Sequence, residues 1–184
     1  VSLRMLVKAG TAQDPTGRPG VAAMVGALLD QGTAKRSSEQ ISDVIDYVGG
    51  ALGTGAGTDL SYVNVLVLKD SFDFALDLMS EVVQTPSFPQ DELDRVRTQA
   101  LSAMGVNMQD PEYVADAVID RLVYGFHPYG LPGNGTPESL QQVTRDDLVQ
   151  FHTAWFSPNN ALLAVVGDVD VEEAFAGVTR AFGQ

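Results

Sequence analysis

The chain has 184 residues, with 24 Asp or Glu against 11 Lys or Arg and a formal net charge of −13. That length suits one domain, at most two small ones, with ample material for a core, and the charge argues against nucleic acid and anionic membrane surfaces as partners. There is no Cys, which removes disulfides and thiolate chemistry, and no apolar run of about eighteen residues, so no membrane span is expected.

Val1–Val7 alternates loosely and reads as a half-buried strand. Gly10–Gly20 is rich in Gly, Pro, Asp and Thr and reads as a loop. Gly20–Thr33, GVAAMVGALLDQGT, is expected to be a helix, with Val21, Met24, Val25, Leu28 and Leu29 recurring at helical spacing. Its middle is small: Ala23, Gly26 and Ala27. Positions 23 and 27 are one turn apart and share a face. Glycine inside a helix costs about 1 kcal/mol relative to Ala, which is tolerable where something packs close. After the turn Thr33–Ser37, the pattern Ser37-x-x-Gln40 fits a capping box. It opens a helix with the stripe Ile41, Val44, Ile45 and Val48, closed by Gly49 and Gly50.

Ala51–Asp59, ALGTGAGTD, alternates Gly53, Gly55 and Gly57 with small residues. A phosphate loop needs a following Gly-Lys-Ser/Thr and a preceding apolar strand, and neither is present. The period of two suits an extended strand with one face stripped of side chains. Read from its residues alone, such a strand is a glycine-rich edge packed under a helix. Ser61–Lys69 follows as a strand, and the turn Thr58–Leu60 makes the pair an antiparallel hairpin. Asp70–Gln84 is an amphipathic helix with Phe74, Leu78, Val82 and Val83 inward, broken by Thr85–Pro89. Pro89 opens a long helix to about Met108, with the core stripe Leu93, Val96, Ala100, Leu101 and Met104. Gln99 and Ala103 share another of its faces. Asp110-Pro111 starts a helix to Val123 whose apolar face is Val114, Val118 and Leu122.

Tyr124–Gly135 is a Gly- and Pro-rich loop holding His127, read as a structural residue. A short helix begins at Thr136-Pro137-Glu138, and Thr144 caps the next, Thr144–Trp155, with Asp147 at the capping-box position. His152 has no carboxylate or second His one turn away, so no local triad or metal pair is readable. Ser157–Asn160 is a turn, the continuous apolar run Ala161–Val166 reads as a central strand, and Val171–Phe182 is the last helix. Helices and strands do not alternate simply, which favours an α+β fold over a doubly wound sheet.

The frame Gly20-Val21-Ala22 followed after five residues by Leu28–Thr33 (LLDQGT), with YVGG at 47–50, HPYG at 127–130, TRDDL at 144–148, SPNN at 157–160 and VVGDV at 165–169, resembles the insulinase/pitrilysin-like metallopeptidases and their processing-peptidase relatives. The resemblance implies an antiparallel sheet with helices largely on one face. It implies one module of a tandem, residues 1–184 being the N-terminal one, with another strand preceding Val1. In that family the helix corresponding to Gly20–Thr33 carries an inverted zinc motif, H-x-x-E-H, and a third ligand, a Glu, lies on a later helix. Here the two His positions fall on Ala23 and Ala27, the Glu on Gly26, and the third ligand on or near Ala103. All four are non-coordinating, so no catalytic residue, no metal ligand and no cofactor is expected, zinc belonging only to a catalytic partner.

The resemblance thus implies a non-catalytic module that supports, or helps form, the peptide-binding chamber of a zinc metallopeptidase. The partner is a catalytic subunit or a second module, with a peptide substrate meeting the edge at Gly53, Thr54 and Gly55 and a homodimer carried as a further arrangement. Two other functions are carried beside it: an active zinc endopeptidase with ligands supplied elsewhere, and a purely structural assembly subunit. The sequence names no compartment. Installing Ala23→His, Gly26→Glu, Ala27→His and Ala103→Glu together is expected to rebuild a zinc-binding face.

Overall fold

The computed structural model describes residues 1–183. Four strands, β1 (Ser2–Val7), β2 (Ala51–Ala56), β3 (Ser61–Leu66) and β4 (Ala161–Val166), form one antiparallel sheet in the order β2-β3-β1-β4. The register sets Ser2 opposite both Leu66 and Val166, and Ala51 opposite Leu66. With side chains alternating between faces, one face presents Leu3, Met5, Val7, Val63 and Val65, all buried. The other presents Arg4, Tyr62, Asn64, Leu66, Leu162 and Val166, none of them buried. Every core residue outside the strands therefore lies on the first face, and the helices stack there.

Those helices are α1 (Val21–Leu28), α2 (Ser38–Tyr47), α3 (Phe72–Gln84), α4 (Gln90–Asn107), α5 (Pro111–Tyr124), α6 (Pro137–Gln142), α7 (Arg145–Trp155) and α8 (Val171–Phe182). The fold is α+β, as the order of elements predicts. Their starts follow the local chemistry. The Ser37 hydroxyl accepts from the Gln40 amide at 3.3 Å while the Gln40 side chain accepts from the Ser37 amide at 3.0 Å, closing the expected capping box. Thr144 and Asp147 repeat that arrangement at α7. Asp170 caps α8 by accepting from the amides of Glu172 and Glu173. One hydrophobic core runs through the molecule and gathers Leu3, Val25, Leu28, Leu76, Met79, Leu93 and Leu148, all fully buried. Each such side chain contributes roughly 1.5–3 kcal/mol relative to exposure.

Several expectations need correction. The first helix ends at Leu28 rather than running to Thr33, because Gly32 and Thr33 leave it to make isolated bridges with Ser37 and Pro86. The strand after the hairpin stops at Leu66, and Lys69–Ser71 forms a single 3-10 turn ahead of α3. Val44 and Val48 are half-buried, leaving Ile41 and Ile45 as the buried stripe of α2. The run Ala161–Val166 is not central among the described residues: there β4 is an edge strand, paired only with β1. Its continuous hydrophobicity reflects apolar surface on both faces of an edge. The face Val114, Val118 and Leu122 of α5 packs on no core among the described residues. That helix buries no residue, and Leu122 is 78 % exposed.

Candidate functional site

The helix α1 is held from three sides, by the preceding loop, by α4 and by β2. Its amino end is closed by Asp14 from the preceding loop, whose carboxylate accepts from the amides of Gly20 at 2.6 Å and Ala22 at 2.7 Å. Burial pushes the Asp14 carboxyl up to about 6, although both amides favour its charged form. The same loop is tied down by an ion pair from Arg18 to Asp147 and by the Pro19 carbonyl, which accepts from the Ser139 hydroxyl at 2.8 Å. Burial works against the charge of Asp147, but the amide and hydroxyl of Thr144, with Arg18, outweigh it and hold that carboxyl below its ordinary range. Val21, Ala22, Met24, Val25, Gly26 and Leu28 are buried, so the only face of α1 left open carries Ala23 and Ala27.

That open face meets α4. Ala23 and Ala27 line a cavity of about 250 Å³ together with Ala100, Ala103 and Met104 of α4. The structure thus brings three of the four positions singled out in the sequence into one space, across 76 residues from Ala27 to Ala103. The fourth is elsewhere. Gly26 faces β2, and a Cβ built on it would lie 2.5 Å from the Gly55 carbonyl carbon and 2.6 Å from the Ala56 amide nitrogen. Real side chains do not approach backbone so closely, so α1 and β2 touch main chain to main chain at this point.

Zinc requires imidazole, thiolate or carboxylate ligands, at least three from the protein in a catalytic site. The cavity offers none of these; its only polar side chains are the amides of Asn107 and Asn134. The residues present do not fit a zinc ion. No group of three or more His, Cys, Asp or Glu is placed to hold any metal among the described residues.

The other side of α1 backs the edge strand. Among the described residues, the backbone of Ala51–Ala56 makes hydrogen bonds only to β3, so one row of its amides and carbonyls is free. Thr54 points inward beneath α1, and Gly53 and Gly55 point outward. The two glycines differ. Gly55 is covered by the Tyr62 ring, whose hydroxyl would lie 2.4 Å from a Cβ there, whereas a Cβ on Gly53 would meet nothing within 4 Å. Gly55 is therefore pressed between a helix backbone and an aromatic ring, and only Gly53 leaves the strand open above.

The two histidines lie apart from this region. His127 accepts from the Tyr129 amide through Nδ1 at 3.2 Å, and the Tyr129 hydroxyl donates to Asp59 at 2.8 Å, tying the HPYG turn to the β2–β3 turn. His152 lies 2.8 Å from the Val83 carbonyl and stacks on Phe156 at 4.7 Å. Burial lowers its pKa, partly opposed by that bond to the carbonyl. Sequence reasoning missed Asp14, since a cap contributed from six residues upstream has no local spacing signature. It also missed Asn107 and Asn134, which join the cavity only through tertiary packing.

With this geometry in place, the chain can be set beside known proteins. The model of the insulinase family, peptidase family M16, matches residues 1–135, and that of the peptidase M16 inactive domain matches residues 142–184. A Mycobacterium leprae protein named an uncharacterized zinc protease is 30% identical over 182 residues, covering 99% of this chain and 41% of its own length. A Helicobacter pylori protein named non-peptidase homolog YmxG is 24% identical over 88% of this chain and 38% of its own. The crystal structure of a peptidase M16 inactive domain from Pseudomonas fluorescens superposes with a TM-score of 0.93 at 31% identity, over 99% of this chain and 44% of the other. The chain therefore spans less than half the length of these relatives. The two family models meet between α5 and α7, yet β4 from the second pairs along its whole length with β1 from the first. No helix among the described residues is long and apolar enough to cross a membrane.

Proposed function

From the premise that this chain belongs to the insulinase family, peptidase family M16, we propose that it is a non-catalytic module of that family. Its role is to present the β2 edge, backed by α1, as part of the peptide-binding wall of a zinc peptidase whose catalytic residues lie on a partner chain or a second module. The observation that carries this reading is the cavity between α1 and α4. Positions 23, 27 and 103, which the resemblance aligns with the zinc ligands, line it together and are all alanine. Position 26, aligned with the general base, is glycine with no room for a side chain. The name of the Helicobacter pylori relative, a non-peptidase homolog, supports the same reading, as does the match to the inactive-domain model.

The β2 edge suits a peptide for a physical reason. Strand addition draws its affinity from main-chain hydrogen bonds, and those require a free row of amides and carbonyls with little side-chain obstruction. Gly53 and the small neighbours of the edge meet that requirement. In an isotope-labelled sample of this chain, an extended peptide should shift the amide resonances of Gly53–Ala56 and leave the peptide intact. Hydrolysis of the peptide by the chain alone would overturn the non-catalytic part of the reading. Shifts confined to other surfaces would overturn the role given to β2.

A further inference from the structure

The turn at 85–89, TPSFP, is bent in a way its residues do not favour. Phe88 has φ +46°, a left-handed conformation uncommon for any residue but glycine. Glycine would adopt it freely, but Phe88 is 1 % exposed, and its ring lies edge-on to His152 with centroids 5.9 Å apart. The position therefore keeps a large ring for packing and takes its bend from outside. The Ser87 amide donates to the Gly32 carbonyl at 3.0 Å, and Pro86 bridges to Thr33. The third hold is Arg145. Its Nε donates to the carbonyls of Ser87 and Phe88 at 3.2 and 3.1 Å, and its Nη2 donates to the Ser87 carbonyl at 2.8 Å. A planar guanidinium reaches both carbonyls at once, which an ammonium does not.

Nothing in α7 itself calls for a cation there. Arg145 is the first residue of that helix, where the helix dipole favours negative charge. Among the described residues it forms no ion pair. The turn it grips is the one that launches α4, with Pro89 as the N-cap. The firmest anchors of α4 sit near that start. Leu93 is fully buried, and Arg97 donates to the carbonyls of Leu140 and Val143 at 3.0 and 2.7 Å. Beyond Arg97, Met104 is the only residue of α4 that is buried. Ala103 stands about 22 Å along the helix from Phe88 at 1.5 Å per residue, so a rotation of roughly 10° at Phe88 displaces it by about 4 Å.

We infer that Arg145 is the positioning residue of the α1–α4 cavity: it holds the turn at 85–89 in its left-handed bend, and so sets where α4 places Ala103 relative to Ala23 and Ala27. This positioning is independent of whether β2 receives a peptide. The chain has no Cys, so two introduced thiols carry two spin labels and no others. Asp43→Cys on α2 with Val106→Cys reads the far end of α4, and Asp43→Cys with Asp91→Cys reads its start; all three sites are exposed. Pulsed dipolar distances are compared in each pair with and without Arg145→Leu. Arg145 is itself exposed, and the variant should keep its helix content by circular dichroism. The 43–106 distance should shift or broaden by about 3 Å or more while the 43–91 distance changes by less than about 1 Å, as expected of a lever that pivots at Phe88. Arg145→Lys, which holds one carbonyl at a time, should fall between parent and Leu variant. Equal changes in the two pairs would show a general loosening and overturn the proposal. So would an unchanged 43–106 distance, an Arg145→Leu chain that fails to fold, or a Lys variant no better than Leu.

Discussion

The two edges of this sheet are built on opposite terms. β2 is poor in side chains and has a helix seated against its main chain, with Gly26 on Gly55 and Ala56 and the Tyr62 ring on the far side. β4 is rich in apolar side chains, and its helix α8 stands off far enough to leave cavities along it. At the first edge specificity resides in backbone shape, where any added atom is felt. At the second it resides in apolar area, where single atoms matter little. An edge made tight by the removal of side chains leaves its hydrogen-bonding row reachable, whereas an edge made of large side chains offers surface that is satisfied only by burial.

The sharpest way to break this contrast is at Gly26. Gly26→Glu should unseat α1 from β2 and destabilise the chain by about 3 kcal/mol or more, beyond the usual range for overpacking. Gly26→Ala gains about 1 kcal/mol of helix propensity but meets backbone at 2.5 Å. The steric term wins, leaving a net loss of roughly 1–2 kcal/mol by chemical denaturation. A Gly26→Ala variant more stable than the parent would mean that the two backbones are not in contact. The same geometry divides the four-residue reconstruction expected from sequence. Ala23→His, Ala27→His and Ala103→Glu open onto one cavity and should be accepted together with a zinc-dependent rise in thermal midpoint, while adding Gly26→Glu should abolish folding or binding.

Next in size is the contrast between the two outward glycines of β2. Gly55→Val drives a side chain into the Tyr62 ring and should lose about 1–3 kcal/mol. Gly53→Val enters open space, and should be neutral within about 0.5 kcal/mol or slightly stabilising through strand propensity. Equal effects at the two positions would contradict the account of how this edge is packed.

A smaller effect concerns pH. The Asp14 carboxyl titrates at about 6 in the folded chain against an ordinary 3.8, so folding takes up a proton between those values. Its contribution is most favourable below about pH 4, declines as pH rises through 6 and is flat above. Asp147, held low, acts in the opposite sense, since its stabilisation is lost as pH falls. Asp14→Asn should remove the decline between pH 4 and 6, a difference on the order of 1 kcal/mol after solvent screening is discounted. The check is denaturant midpoints of parent and variant across that range. A parent and variant with parallel profiles would show that Asp14 is not held in its buried, uncharged-favouring site.

Much of the fold was legible because its signals are local. The capping boxes at Ser37 and Thr144, the helical stripes of α3 and α4, and the β2–β3 hairpin depend on residues a few positions apart. What escaped is what depends on neighbours distant in sequence. An apolar run such as Ala161–Val166 is the same string of residues whether another strand lies beyond it or not, so its edge position could not be read. The stripe of α5 has helical periodicity but finds no partner among the described residues, and periodicity alone does not say what a face meets. At the candidate site, the spacing of 23 and 27 fixed a shared face, but only the packing of α4 on α1 brings Ala103 to it. Gly26 was recognisable as a place for close packing. That its neighbour is the backbone of Gly55 was not.

The central proposal is that the α1–α4 face, with alanine at 23, 27 and 103, does not hold the zinc that the resemblance assigns to those positions. Titration calorimetry of zinc into the metal-stripped chain, with the Ala23→His/Ala27→His/Ala103→Glu variant alongside, tests it most directly. The account predicts no stoichiometric tight site in the parent and one new site in the variant. One tightly bound zinc per parent chain would contradict it.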